Sequence, residues 1–150
     1  PMLNPDGVVA GNSRCCVDGE DLSRSWRGGA KGLRRPVVDS VKRLLEELRK
    51  SKTEVALFLE FDVHMRRRNV FCEGCGPSTS GAELIFPKLL SRKCGATKFS
   101  ECSYNLAGSK AGTARSVMHA KHGIACSYLI YVSQIGGDFG AWEGRHYSTD

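Results

Sequence analysis

The sequence predicts an α/β fold, and three observations predict it. Pro36 opens a run in which Val37, Val38, Val41, Leu44, Leu45 and Leu48 recur at helical spacing, with Lys42, Arg43, Glu46, Glu47 and Arg49 between them. Directly after it, Val55–Phe61 is almost continuously apolar, as a strand covered on both faces must be. The same order returns near the carboxyl end, with a helical pattern over Thr113–His122 and an apolar run over Ile124–Val132. A helix that buries one stripe and a strand that buries both faces need each other, and that succession is the αβ half of a βαβ unit.

The elements follow in order. Residues 1–35 are rich in Gly, Ser, Asp and Arg and read as loop with short extended pieces. Pro36 suits a first helical turn, where its missing N–H would have no partner in any case, and Ser51-Lys52 ends that helix. Asp62 to Arg68 leaves the carboxyl end of the strand, where α/β folds place ligands. Asn69–Cys72 is a further short extended stretch, Leu84–Ser91 a short helix and 108–112 a loop. Gly123 stops the helix before it, and the residues from Gly136 onward read as loop. There is no internal repeat.

At 150 residues the chain holds one domain. With 41% hydrophobic and 25% charged residues it is neither disordered nor collagen-like. The net charge of +6 favours an acidic partner, and a basic surface without any partner reads equally well. No apolar run approaches the ~20 residues of a membrane span, and no charged-then-apolar leader is visible in this segment. Seven cysteines, two of them adjacent at Cys15-Cys16, read as reduced thiols.

Three local patterns invite functional readings. Cys72-Glu-Gly-Cys75 suggests zinc, with Cys94 and Cys102 or His119 and His122 as partners. Tetrahedral ligation needs four converging ligands, and these spacings favour packed free cysteines instead. His119 and His122 share a helical face with no acid nearby in sequence and read as surface or packing residues. Arg66-Arg67-Arg68 could meet phosphate and reads first as a solvated charge run.

The amino-terminal block carries more. Asn4-Pro-Asp-Gly-Val-Val-Ala-Gly-Asn-Ser-Arg14-Cys, followed by Asp21-Leu-Ser-Arg24-Ser-Trp26, resembles the Asn-Pro-Asp-Gly … Arg-Cys … Asp-Leu-Asn-Arg-Asn-Trp/Tyr signature of the zinc carboxypeptidases in their cytosolic form. Pro1-Met-Leu3 is similar to that family's lead-in, which implies an internal start. Glu60-Phe-Asp-Val-His64-Met-Arg-Arg-Arg-Asn-Val-Phe71 resembles the family's Asp-Phe-His-Gly-His-Ser-Arg-Lys-Lys-Asn-Val-Phe, and Cys72-Glu-Gly-Cys75 stands where the family has Met-Tyr-Gly-Cys. Phe86-Pro-Lys-Leu-Leu-Ser91, Phe99-Ser-Glu-Cys102, Ser109-Lys-Ala-Gly-Thr-Ala-Arg115, Gly123-Ile and Ser127-Tyr128 continue the match in order.

The resemblance implies a three-layer α/β/α domain with a mixed, mostly parallel sheet. Residues 1–150 would be part of it, without the amino-terminal zinc-motif portion. It also implies zinc as cofactor, held in such peptidases by two His and one Glu. Arg14 matches the arginine that stabilises the oxyanion. Arg24 matches the one that forks onto the substrate carboxylate, and Ser23 replaces its asparagine neighbour. Asp62 stands at the position of a zinc-ligand His, and Tyr131 at that of the general-base Glu. A phenol, with a pKa near ~10, is a poor base at neutral pH. None of His64, His119, His122 and His146 has a Glu three residues on, so the family's His-x-x-Glu pair is missing from this stretch.

The resemblance therefore implies a degenerate, non-catalytic relative of enzymes that remove glutamates from protein tails such as those of tubulin. An acidic peptide would be its partner, in the cytoplasm, at the cytoskeleton or the cilium. Neither membrane nor nucleic acid is expected. Two alternatives stand beside it. One is part of an active zinc carboxypeptidase whose other ligands lie outside this chain. The other is a structural subunit of a larger assembly that covers exposed sheet edges.

Overall fold

The computed structural model describes residues 2–12, 14–28, 36–76, 80–106 and 108–148, with the side chain of Ser109 left aside. Pro1 of the lead-in and Ser13 of the first motif lie outside these residues.

Among the described residues, three strands and four α-helices build the domain. The helices are α1 (Pro5–Val9), α2 (Pro36–Lys50), α3 (Ile85–Lys93) and α4 (Ala114–His122), and the strands are β1 (Leu57–His64), β2 (Val70–Glu73) and β3 (Cys126–Ser133). The sheet order is β1-β3-β2. β3 pairs in parallel with β1, from Leu57↔Cys126 to His64↔Ser133, and antiparallel with β2, from Val70↔Val132 to Glu73↔Leu129. The sheet is thus mixed, with its longer ladder parallel, as expected.

Side chains alternate across the strands, and two apolar clusters form on the two faces. Phe58 points to the side where Val38 and Leu45 of α2, Val117 and Met118 of α4, and Trp26 pack together. Leu59 points to the other side, where Val70, Cys72 and Ile130 of the sheet meet Phe86 and Leu90 of α3. Helices on both faces make three layers. The amphipathic spacing that predicts α2 places Val38 and Leu45 in the core and leaves Glu46 and Arg49 outside as an ion pair at 3.3 Å. Gly123 ends α4 in the left-handed region (φ 68°), and its N–H returns to the Met118 carbonyl.

Three expectations need correction. Residues 5–9 are helical, not extended: Asn4 caps the turn by accepting the Gly7 N–H at 3.2 Å, and Pro5 fills its first position. The strand expected to end before Asp62 runs on to His64, because β3 offers it pairing partners as far as Ser133. Gly108–Gly112 is a short 3-10 helix rather than loop, closed by the Thr113 N–H on the Lys110 carbonyl at 3.1 Å.

The arginine run is tied into the fold. Arg67 pairs with Glu101 at 3.0 Å and lies 3.6 Å above the Phe71 ring. Arg68 donates to the Gly137 carbonyl at 3.3 Å. Between them and β2, Asn69 takes the left-handed conformation (φ 71°). Its side chain donates to Asp138 at 2.8 Å and accepts the Asp138 N–H at 2.9 Å, joining two loops at the end of the sheet.

Candidate functional site

The expected site residues converge on the sheet face that carries α2 and α4, toward the carboxyl ends of β1 and β3. In register, Asp62, Tyr131 and Phe71 form one row across the sheet, and Glu60, Leu129 and Glu73 form the row before it. Above these rows lies a small pocket of about 90 Å³, lined by Arg14, Ser23, Arg24, Glu73, Lys110, Thr113, Leu129 and Tyr131. Four of the five expected residues therefore share one cavity. Asp62 stands beside it, next to Tyr131 in the ladder.

The loop carrying the arginines is organised by Asp21. One of its oxygens meets Arg14 Nε at 3.0 Å and Arg24 Nε at 3.3 Å. The other accepts the Ser23 N–H at 3.1 Å and the Ser23 hydroxyl at 2.6 Å. Both guanidinium groups bind Asp21 through Nε and remain about half exposed. Since Asp21 is met through Nε, the terminal nitrogen pair of each is the fork left to meet a carboxylate end-on.

The floor is supplied by β2 and α4. Glu73 binds Lys110 at 2.6 Å and Arg115 at 2.9 Å. Arg115 is fully buried, and its guanidinium also donates to the carbonyls of Gly74 and Asn105. One carboxylate against two cations leaves the floor positive. Sequence reasoning assigned no role to Glu73, Lys110 or Thr113. Lys110, Thr113 and Arg115 all fall within the Ser109–Arg115 match, and that motif was their available signal.

Tyr131 stands between the rings of His64, at 5.1 Å, and Phe71, at 5.3 Å. Burial pushes its phenol up to about 12, with Glu73 and Asp62 adding to the effect. It therefore stays protonated at neutral pH and cannot take a proton from water. His64 accepts the backbone N–H groups of Arg66 at 3.3 Å and Arg67 at 2.9 Å on Nδ1. Burial, then Arg67, lowers its pKa, so the ring is neutral with its proton on Nε2. Glu60 is raised to about 7, by burial first and by Asp62 second. Its Oε2 is buried with no hydrogen-bond partner among the described residues.

These side chains do not fit zinc. Asp62 turns Oδ1 onto the N–H of Val63 at 2.8 Å, and burial raises its pKa, which disfavours the anion a metal requires. The Nδ1 of His64 is already engaged. Among the described residues, no three His, Cys, Asp or Glu side chains are grouped to hold a metal ion. Cys75 packs instead against α4, donating to the Arg115 carbonyl at 3.4 Å. His119 and His122 lie in the last turn of α4 and belong to no metal-holding group among the described residues. A larger cleft of about 400 Å³ lies at the opposite end of the strands, between Leu45, Arg49, Val55 and Ile124; His122 lines it, and none of Arg14, Ser23, Arg24, Asp62 and Tyr131 does.

Sheet and layers together are those of the metallo-carboxypeptidase fold. The chain aligns with the metallo-carboxypeptidase of Burkholderia cenocepacia at a TM-score of 0.66 and 24% identity, over 89% of this chain and 34% of that one. A putative carboxypeptidase A from Shewanella denitrificans aligns at 0.65 and 26% identity, over 87% of this chain and 35% of that one. Within that family the chain belongs with the cytosolic carboxypeptidases. It is 36% identical to cytosolic carboxypeptidase 1 of Danio rerio and 38% identical to cytosolic carboxypeptidase 3 of Mus musculus, over 99% of its own length in both. It spans 14% and 15% of the length of those two proteins. No family model matches the chain. No helix among the described residues is long and apolar enough to cross a membrane.

Proposed function

We propose that this chain is a carboxypeptidase-like binding module that grips an acidic, glutamate-rich protein tail and does not cleave it. The observation that carries this reading is the pocket. Arg14, Arg24 and Lys110 surround it, while Tyr131 occupies the position at which the resemblance implies a glutamate base. An α-carboxylate would lie against the forks of Arg14 and Arg24, with the Ser23 and Thr113 hydroxyls within the same cavity. The Lys110 ammonium would meet the side-chain carboxylate of a glutamate, which is the chemistry of a polyglutamate chain or a tubulin tail.

The cytoplasm is the proposed compartment. Support comes from the word "cytosolic" in the names of the relatives and from the seven free thiols. The absence of turnover is proposed from Tyr131 and Asp62 together.

The test is fluorescence anisotropy with a labelled polyglutamate peptide. Binding should weaken with salt, because the contact is between exposed charges. Arg24→Ala should lose roughly tenfold or more in affinity, as expected when a charged hydrogen bond of about 1.5–3 kcal/mol is removed. Unchanged binding in that variant would sink the proposed site. Release of glutamate in the presence of zinc, stopped by a chelator, would favour the alternative of an active enzyme completed by residues outside this chain.

A further inference from the structure

Two thiols that the pocket does not use lie against each other on the α3 side of the sheet. Cys72 is fully buried in β2, and half-buried Cys102 follows the 3-10 turn Phe99–Glu101. The Ser103 N–H donates to the Cys72 carbonyl at 3.0 Å, the Gly74 N–H donates to the Ser103 carbonyl at 2.8 Å, and Glu73 and Ser103 form a parallel bridge. This ladder sets residues 72 and 102 side by side on neighbouring extended segments, at the usual spacing of about 4.8 Å. That spacing is one a disulfide spans without backbone movement. The side chains share a face as well. Both pack into the cluster under α3, and Cys102 Sγ accepts the Cys72 N–H at 3.3 Å.

The two sulfurs differ in character. Cys102 receives the S–H and N–H of Cys72 and lies in the field of Arg67. Together these bring its thiol down to about 7, against the opposing effects of burial and Glu101. The same contact, with burial, pushes Cys72 far up. Of the two, the half-buried Cys102 is thus the more readily ionised, and its fully buried neighbour Cys72 is held in place as the thiol. An attacking thiolate with an adjacent resolving cysteine is the arrangement that oxidation requires.

We propose that Cys72 and Cys102 form a peroxide-oxidisable pair that closes to a disulfide and pins the 98–103 segment to β2. The Cys102 thiolate attacks one oxygen of hydrogen peroxide, and the O–O bond breaks. Cys102 becomes a sulfenic acid, and the departing hydroxide takes a proton to become water. The Cys72 sulfur then attacks the sulfenic sulfur. The S–S bond forms, the S–O bond breaks, and the oxygen leaves as a second water with the Cys72 proton. Two thiols are oxidised and one peroxide is reduced.

The experiment treats the folded chain with limiting hydrogen peroxide, alkylates the remaining thiols, and maps the peptides without reduction. The expected product is a Cys72–Cys102 linked pair of peptides, lighter by two hydrogens than the separate thiols, with a melting temperature that rises by several degrees and falls again on adding dithiothreitol. Cys102→Ser should abolish both the link and the shift. Three results would each overturn the proposal. One is Cys102 advancing to sulfinic acid while Cys72 stays free; the second is a link to another cysteine such as Cys94; the third is a Cys72–Cys102 link with no change in melting temperature. The peptide map of the unaltered chain decides the first two without relying on a variant that folds.

Discussion

Glu60 illustrates how burial and a neighbouring acid together change the behaviour of a single carboxyl. Its carboxyl is raised to about 7 by burial and by Asp62, with Arg115 opposing. In the unfolded chain it returns to its ordinary 4.5. A carboxyl whose folded value lies above its unfolded value stabilises the fold while protonated, and that stability is lost as pH rises from 4.5 through 7. The loss amounts to roughly 3 kcal/mol at one pKa unit per 1.36 kcal/mol. Glu60→Gln should therefore melt higher than the parent at pH 8 and nearly equal to it at pH 4.5. A parent and variant whose melting curves shift in parallel across this range would contradict the assignment.

At this scale the sequence was informative where a motif carried a role and silent elsewhere. Arg14, Ser23, Arg24 and Tyr131 are legible from their positions in the motifs and share the pocket. Glu73 is not, because its partners Lys110 and Arg115 lie far along the chain and only the fold brings them to β2. Nothing local to Glu73 distinguishes a buried anchor from a surface acid.

Among the elements, those with a complete local code were legible. α2 has its proline start and a clean apolar stripe. α4 has its glycine stop, and β1 and β3 have nearly continuous apolar runs, although β1 is not covered on both faces as its run predicts. The short helix α1 was missed because five residues show no period, although Asn4 and Pro5 supply cap and first turn. The antiparallel docking of β2 was also unreadable. It depends on the left-handed Asn69 and on Val70 exchanging backbone hydrogen bonds with Ala96 (3.0 Å) and Lys98 (2.9 Å), contacts that no sequence period reports.

The α4 stop gives a clean test at this level. A Cβ on Gly123 would meet nothing within 4 Å, so Gly123→Ala changes only the backbone energy at φ 68°. A loss of about 1 kcal/mol in urea denaturation is expected, with an unchanged slope against denaturant. A loss several times larger would mean that the glycine serves packing rather than conformation.

For the whole molecule, the free edge of the sheet is the dominant feature. β1 is an edge strand among the described residues, and Phe61 and Val63 on it are 68% and 53% exposed. The chain covers about a third of the solved carboxypeptidase chains it matches, 34% in one and 35% in another. An apolar strand with unpaired backbone groups is a site of association. The double variant Phe61→Lys, Val63→Lys should scatter less light at high concentration while keeping its helical and strand content. Equal scattering would place the sticky surface elsewhere. The three-layer class was foreseen, whereas this exposure follows from strand order, which composition and period do not encode.

That strand order also governs how the molecule can be made. The central strand, β3, follows both outer strands in the sequence, and among the described strands each outer one is paired only with β3. A nascent chain translated through His122 holds β1 and β2 without the strand that joins them in this sheet. Joining these three strands thus waits for β3 and closes a long loop, since Leu57 must find Cys126. Such non-local pairing is slow, and it leaves the apolar Leu57–Phe61 stretch open to chaperones or to neighbouring chains throughout synthesis.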